Sequence, residues 1–178
     1  MKQVLKNWFV FYTKSRQEKK VFNLLSRRGF EVFLPMQKVM RQWSDRKKKV
    51  EVPLFNSYIF VFVEEHRISE VLQLPGVSWN IRHNGKPAIL HHQELETIQR
   101  FLLTGLLIAT GADIDHVAIG DRVKVIDGPL KGAVGTLTSF QNKERFQMHL
   151  ASIGQTLSVD VDKKVVRKLT DKELVNYT

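Results

Sequence analysis

The stretch Ile119-Gly-Asp-Arg-Val-Lys-Val-Ile-Asp-Gly-Pro-Leu-Lys-Gly-Ala-Val-Gly-Thr-Leu137 decides the fold of the C-terminal part of the chain. Apolar and polar side chains alternate in it, which is the pattern of a strand with one buried face. Gly128-Pro129 is a turn signal, and Gly132 and Gly135 then enter the next strand, where glycine allows a bend or a close approach of two backbones. The stretch therefore predicts two short strands joined by a tight turn.

Short strands continue to the end of the chain. Turn signals separate them at 127–129, 141–142 and 152–154. The predicted strands are 122–126, 133–140, 145–150, 156–161 and 165–168. Five short strands at close spacing predict a small β-barrel, because a barrel limits the number of exposed strand edges.

Strands and helices alternate in the N-terminal part. The predicted strands are 8–12, 30–34, 55–63 and 79–82, and the predicted helices start at a Ser15-x-x-Glu18 capping box and cover 68–74 and 95–102. The order β-α-β-β-α-β with one extra helix predicts a ferredoxin-like α+β sandwich. We expect an N-terminal domain at 1–104, a linker at 105–116 and a C-terminal domain at 117–178. The linker includes Leu106-Leu107-Ile108, which is too apolar to be freely solvated.

The composition excludes cysteine-based sites and membrane-spanning segments. The 178 residues include no cysteine, which excludes disulfides, zinc ribbons, iron–sulfur clusters and thiol nucleophiles. No apolar run approaches the roughly 20 residues of a membrane span, and the start is a poor signal peptide. We therefore expect a cytoplasmic protein that has no membrane contact. We also expect a monomer.

Charge points to a polyanionic or acidic partner. The net charge is +10, and residues 1–110 hold 18 basic and 9 acidic residues against 10 and 9 in residues 111–178. The N-terminal part thus carries nearly all the excess, which suits nucleic acid or an acidic protein surface. Solubility alone is the plainer explanation.

A basic segment inside 38–52 is predicted to project as a hairpin or loop. Its positive side chains suit salt-sensitive phosphate contacts, and its tryptophan can stack on a base or pack the loop against the body. The predicted nucleic-acid contacts here are Arg41, Trp43, Arg46, Lys47, Lys48 and Lys49. The start of the first helix adds free N–H groups that favour phosphate, together with Lys14, Arg16, Gln17 and Lys20. A merely solvated surface is the alternative at both places.

The strand at 58–63 is apolar on both faces. Tyr58, Phe60 and Phe62 point one way, and the residues between them point the other. An antiparallel α+β sheet normally buries one face under its helices and leaves the other polar. Either another part of the chain covers the second face or a partner does, since exposed aromatic patches mark protein interfaces.

Two stretches carry a resemblance to a known family. Residues 119–137 resemble the KOW motif of ribosomal and transcription elongation proteins. Pro53-Leu-Phe-Asn-Ser-Tyr-Ile-Phe-Val-Phe-Val63, with Pro75-Gly76-Val77 and Gly85-Lys86-Pro87, resembles the NGN domain of NusG-type elongation factors. NGN followed by KOW covers nearly the whole chain, and the form of 54–60 leans toward specialised antiterminator paralogues of the RfaH, LoaP and UpxY types. The resemblance implies an NGN domain and a five-stranded SH3-like KOW barrel.

The resemblance also implies partners. In NusG-like proteins the bare face of the NGN sheet takes the clamp helices of the largest RNA polymerase subunit. The residues this assigns to polymerase binding are Phe55, Tyr58, Phe60, Trp8 and Tyr12, with His66 and Ser69 at the polymerase gate loop. The basic residues at the first helix would contact non-template DNA or nascent RNA. The KOW domain would bind a further protein, and its dense β-branched alternation predicts a barrel that does not switch fold.

Catalysis finds no support in the sequence. His91-His92 with Glu94 and Glu96 lacks the spacing of a helical metal motif and fits a helix start better. The glycines at 128, 132 and 135 lack the Gly-Lys-Ser/Thr end of a phosphate-binding loop. We expect no enzyme, no metal and no cofactor, and a transcription elongation and antitermination factor. The alternative is a stand-alone RNA-binding or ribosome-associated KOW protein.

Overall fold

A computed structural model describes residues 5–112, 120–140 and 142–175. The contacts divide the chain into two units, Met1–Leu95 and Glu96–Thr178. The predicted domain boundaries, with a linker at 105–116 between domains 1–104 and 117–178, stay a prediction.

The first unit is built on an antiparallel sheet. Its elements in chain order are β1 (Lys6–Thr13), α1 (Glu18–Arg27), β2 (Glu31–Phe33), β3 (Met36–Gln42), β4 (Lys47–Pro53), β5 (Tyr58–Glu64), α2 (Ile68–Leu72), β6 (Val77–Asn80), β7 (Arg82–His83), β8 (Lys86–Pro87) and β9 (Ile89–Leu90). The main sheet has the order β2-β5-β1-β6, and β9 also pairs with β1. This is the strand order of a ferredoxin-like sandwich, so the predicted fold class is confirmed.

Helices α1 and α2 cover one face of this sheet. Val21 and Leu25 of α1 and Val71 of α2 share a buried cluster with the odd-numbered residues of β1 and β5. The alternation predicted for 58–63 is therefore confirmed, since Ile59, Val61 and Val63 face the helices.

Two hairpins extend from the sheet. The predicted basic projection is the hairpin of β3 and β4, whose register runs from Met36↔Pro53 to Gln42↔Lys47. The turn predicted at Asn84-Gly85 joins β7 to β8, and both residues have a positive φ, at 50° and 78°. Such a two-residue turn suits a hairpin because its twist matches that of the paired strands.

The second unit is an antiparallel sheet that follows helix α3. Its elements are the C-terminal part of α3 (His92–Leu103), β10 (Ala109–Ala112), β11 (Asp121–Val125), β12 (Val134–Phe140), β13 (Lys143–Leu150), β14 (Gln155–Asp160), β15 (Val166–Lys168) and α4 (Asp171–Leu174). Among the described residues the strand order is β10-β14-β13-β12-β11-β15. All five strands predicted for the barrel are present within two residues of the expected bounds at each end.

The predicted linker is partly structured. Residues Ala109–Ala112 form β10 and pair with β14, and Ile108 before them is buried. Burial therefore accounts for Ile108 alone, because Leu106 and Leu107 are 49% and 67% exposed. The remaining linker residues 113–116 lie outside the described residues.

Glycine and α3 shape the core of the second unit. A Cβ on Gly135 would lie 2.2 Å from the Gln147 carbonyl oxygen and 2.7 Å from the Phe146 ring, so the close approach predicted there is confirmed. Phe101 of α3 stacks on Phe146 with ring centroids 6.1 Å apart. Arg100 donates from Nε to the Pro129 carbonyl at 3.2 Å and also hydrogen-bonds the Lys131 carbonyl.

Candidate docking face and nucleic-acid cleft

The face of the N-terminal sheet opposite α1 and α2 is aromatic. Even-numbered residues of β1 and β5 occupy it, because side chains alternate along a strand. The antiparallel register places Trp8 opposite Phe62 and Tyr12 opposite Tyr58. Cross-strand pairs of this kind are the unit of sheet stabilisation, so the strands themselves gather the rings on one surface.

Eight rings form a continuous series on this face, which we call the aromatic face. Neighbouring centroids lie 4.6 to 6.3 Å apart, within the range of favourable ring contacts. In order, the members are Phe62, Trp8, Phe33, Phe60, Phe55, Tyr58, Tyr12 and Trp79.

Burial divides the aromatic face into a centre and a rim. Phe60 is 0% exposed and Phe55 2%, although sequence reasoning treated both as contact residues on an open surface. They are sealed within this chain, because Phe33 and Tyr58 pack around them. Tyr58, Tyr12 and Trp8 are half-buried. A partner that docks on this face as it stands would touch the rim rings, with Phe55 and Phe60 beneath them.

Trp79 also belongs to the aromatic face, although it is not among the predicted contact residues. It stacks flat on Tyr12, with centroids 4.6 Å apart and planes 6° from parallel, and its side chain is 55% exposed. The signal was available, since 79–82 was predicted as a strand. The sequence does not show that this strand pairs with β1, and that pairing places Tyr12 next to Trp79.

The β3–β4 hairpin presents the predicted basic segment to solvent. Residues 41–49 are all exposed, and the turn is closed by the Trp43 amide donating to the Arg46 carbonyl at 2.8 Å. Trp43 is 56% exposed, so packing against the body does not bury its ring.

A cleft of 610 Å³ lies between this hairpin and the start of α1. It brings together Arg16, predicted as a contact at the start of the first helix, and Arg41 and Trp43, predicted as contacts in the basic segment. The other predicted nucleic-acid residues, Lys14, Gln17, Lys20, Arg46, Lys47, Lys48 and Lys49, do not line it. Gln17 instead precedes α1 as its N-cap and lies against Gly76.

The capping box predicted at Ser15 and Glu18 is wrong. Helix α1 begins at Glu18 with Gln17 as its N-cap, and no side chain caps it by a hydrogen bond. Arg16 has a φ of 61°, in the left-handed region, so the chain turns before the helix instead of leading into it from Ser15. Glu18 Oε1 accepts a hydrogen bond from the Ser57 amide at 2.8 Å. Because Ser57 lies 39 positions away, no local pattern signals this contact.

His66, just before α2, and Ser69, within α2, are both exposed, and their predicted contact with the polymerase stays a prediction. Arg67 between them is held in place. It makes two hydrogen bonds of 2.9 Å to the Glu70 carboxylate and lies 5.0 Å from the Phe30 ring centroid. This bidentate contact lowers the pKa of Glu70 and raises that of Arg67.

The histidine-rich stretch before α3 works as a helix start. The His91 amide donates to Glu94 Oε2 at 3.1 Å. Across the described ranges, no three His, Asp or Glu side chains are grouped closely enough to hold a metal ion. Within the same ranges, every helix is too short or too polar to span a bilayer.

Comparisons with known proteins agree with this architecture. A family model described as transcription termination factor NusG matches residues 6–99, which is more than half of the chain. The chain therefore belongs to the NusG family. It is 26% identical over 179 residues to the transcription termination/antitermination protein NusG of Halalkalibacterium halodurans and 27% identical over 179 residues to that of Bacillus subtilis. Each alignment covers 92% of this chain and 99% of the relative.

A solved structure shares the fold. NusG from Thermotoga maritima aligns with a TM-score of 0.56 at 20% sequence identity, covering 93% of this chain and 98% of that one.

Proposed function

We propose that this chain is a transcription elongation and antitermination factor that acts by binding and carries out no chemistry of its own. Its N-terminal unit binds RNA polymerase through the rim of the aromatic face, and its hairpin and cleft hold nearby nucleic acid. The relatives named as termination/antitermination proteins support the process, and we place the chain in the cytoplasm as part of this proposal. The observation that carries the polymerase contact is the partly exposed ring series on the sheet face opposite α1 and α2.

Aromatic rings suit this role because they supply large contact areas with few rotatable bonds. Interface hot spots are enriched in tryptophan and tyrosine and lie in pockets that exclude water. Trp79, Tyr12 and Tyr58 form such a group, since each ring contacts the next. The buried Phe55 and Phe60 would hold these rings in position and make no direct contact.

Binding alone can change elongation. A polymerase whose clamp moves between open and closed states shifts toward whichever state the factor binds more tightly. A factor that contacts protein through one surface and nucleic acid through another gains affinity for the closed state. Pausing and termination are thereby suppressed. The C-terminal unit would recruit a further protein.

The central test is transcription in vitro across a terminator with matched polymerase, with and without the full chain. We expect increased readthrough and shorter pauses. The double variant Tyr58→Ala, Trp79→Ala should weaken polymerase retention in a pull-down by about tenfold or more, because rim rings of this kind carry interface energy. Unchanged readthrough would refute the antitermination role.

Trp43→Ala is the matched control for the polymerase contact. Trp43 and Trp79 are 56% and 55% exposed, so their removal changes similar surface at two different places. We expect Trp43→Ala to retain polymerase and to lose affinity for single-stranded nucleic acid. If neutralising Lys47, Lys48 and Lys49 abolished all binding while the double variant had no effect, the RNA-binding alternative would be favoured.

A further inference from the structure

The cleft between α1 and the β3–β4 hairpin has the size and lining of a ligand site. Its volume of 610 Å³ falls within the roughly 300–1,000 Å³ of small-molecule pockets. Val50, Val52 and Pro53 of β4 supply an apolar wall, and Trp43 supplies an exposed ring. Such a lining suits a flat, partly apolar group that stacks.

Two guanidinium groups in this cleft have unused donors. Arg16 and Arg41 both line it, and neither guanidinium has a hydrogen bond or ion pair with any of the described residues. Lys19 is engaged by Glu51 at 3.9 Å. Arginine presents a fork of donors that matches a phosphate, so this pair favours an anionic ligand.

Glu18 contributes the opposite charge from inside the cleft. The residue is 7% exposed, and the Ser57 amide occupies Oε1. Its second oxygen, Oε2, has no partner among the described residues. Oε2 is not sealed from solvent and can be reached from the cleft, and an ionised carboxylate accepts hydrogen bonds but cannot donate them. A ligand that fills this cleft should therefore present N–H groups to Glu18.

We propose that the cleft takes one unpaired guanine of a single strand. The guanine ring stacks on Trp43, its N1–H and N2–H donate to Glu18, and Arg16 and Arg41 bind the flanking phosphates. Single strands are read in this way, by stacking and by hydrogen bonds to splayed-out base edges. The inference rests on the proposed nucleic-acid contact and adds base specificity to it.

Guanine fits this site better than the other bases. Its Watson–Crick edge carries two adjacent donors, and one carboxylate can accept both even with the Ser57 amide on Oε1, because each of its oxygens has more than one lone-pair site. Cytosine and adenine offer a single amino group beside an acceptor nitrogen, and thymine or uracil places carbonyl oxygens on either side of its one N–H. Each of these other bases would place an acceptor atom against the Glu18 carboxylate, which is itself an acceptor. Because DNA and RNA share guanine, both are potential sources.

The test is fluorescence anisotropy with the full chain at low salt. The probes are labelled oligothymidines of about nine nucleotides with guanine, inosine or thymine at the centre, and the matching oligouridines. We expect guanine to bind about tenfold more tightly than thymine, as a good bidentate base contact does. Inosine lacks the N2 amino group and should lose most of that preference. The deoxy and ribo series identify the preferred source.

Glu18→Gln tests the protein side. Glutamine keeps a carbonyl oxygen for the Ser57 amide but places an NH₂ group where a guanine donor would lie. We expect the preference for guanine over thymine to disappear while binding of the all-thymine strand persists. Glu31→Gln is the control, since it removes the same charge at an exposed position on β2 outside the cleft. It should keep the preference.

The outcomes separate the inference from the proposed function. Equal binding of guanine, inosine and thymine strands overturns the guanine site and leaves the nucleic-acid contact standing. Absence of binding to every strand overturns both. The inosine comparison uses the unchanged protein, so it decides the matter even if Glu18→Gln is unstable.

Discussion

The two faces of the N-terminal sheet are both apolar, yet they are buried differently. On the face covered by α1 and α2, Phe9, Phe11 and Ile59 are all at most 1% exposed. On the aromatic face Phe60 is equally buried, whereas Trp79 is 55% exposed. One face is a closed core, and the other is a buried centre inside a partly exposed rim. Hydrophobicity alone therefore does not tell core from surface on this sheet.

Phe60→Ala should give the largest effect, because it tests whether the centre of the aromatic face is core. We expect the free energy of unfolding to fall by about 3–5 kcal/mol, as for other buried phenylalanines. Urea denaturation of the full chain, followed by tryptophan fluorescence, measures this. Phe62 is only half-buried, so Phe62→Ala should lower the free energy of unfolding by less. A loss below about 1 kcal/mol for Phe60→Ala would mean that the ring is not part of a packed core.

Gly76→Ala tests how tightly the helix-covered face is packed. A Cβ at this position would lie 2.8 Å from Val21 Cγ2, and φ is 97°. We expect a loss of about 1–3 kcal/mol from crowding in addition to the backbone strain. Gly85→Ala is the control, with φ at 78° and nothing within 4 Å of the added atom, so it shows the backbone contribution alone. Equal losses for the two variants would contradict the crowding.

Trp79→Ala tests the rim. Its stacking on Tyr12 should contribute about 0.5–1.5 kcal/mol to stability, as aromatic pairs do. Thermal unfolding monitored by circular dichroism measures the difference from the parent chain. Trp43→Ala, on the projecting hairpin, should change stability by less than about 0.5 kcal/mol. A loss at Trp79 as large as that at Phe60 would erase the distinction between centre and rim.

Lowering the pH should produce the smallest effect on stability, through Glu64 at the end of β5. The pKa of Glu64 is lowered, first by a backbone hydrogen bond at its own position and then by Lys6 and Arg67. The folded chain thus binds a proton less readily than the unfolded one, in which this carboxyl has its ordinary pKa near 4.5. This contribution is present above that pH and is lost as the pH falls through the lowered folded pKa.

Glu64→Gln makes the acid effect measurable. The variant should be slightly less stable than the parent at neutral pH, and the difference should vanish as the pH is lowered well below 4.5. Chemical denaturation across that range measures both. A difference that grew toward low pH would have the wrong sign.

Local patterns were reliable wherever the physics was local. Alternation at 58–63 correctly divided the strand between two faces, and the turn residues Asn84-Gly85 adopt the backbone angles that their chemistry favours. The strands of the barrel were also found. The Ser15–Glu18 spacing misled, because Glu18 binds a backbone amide from another part of the chain.

The candidate sites were only half predictable. Arg16, Arg41 and Trp43 stood out as basic or aromatic groups, but no local pattern indicated that they line one cleft. Phe55 and Phe60 were chosen because they are aromatic, and they are buried because neighbouring rings surround them. Trp79 was found as a strand residue and missed as a surface residue.

Periodicity and charge alone established the order of elements, the two-sided apolar strand and the basic projection, since each depends on residues a few positions apart. Strand pairing across the sheet decided which rings are buried, which arginines share a cleft and which acid is buried. Pairing joins residues tens of positions apart, and a contact at that separation leaves no trace in a short window of sequence.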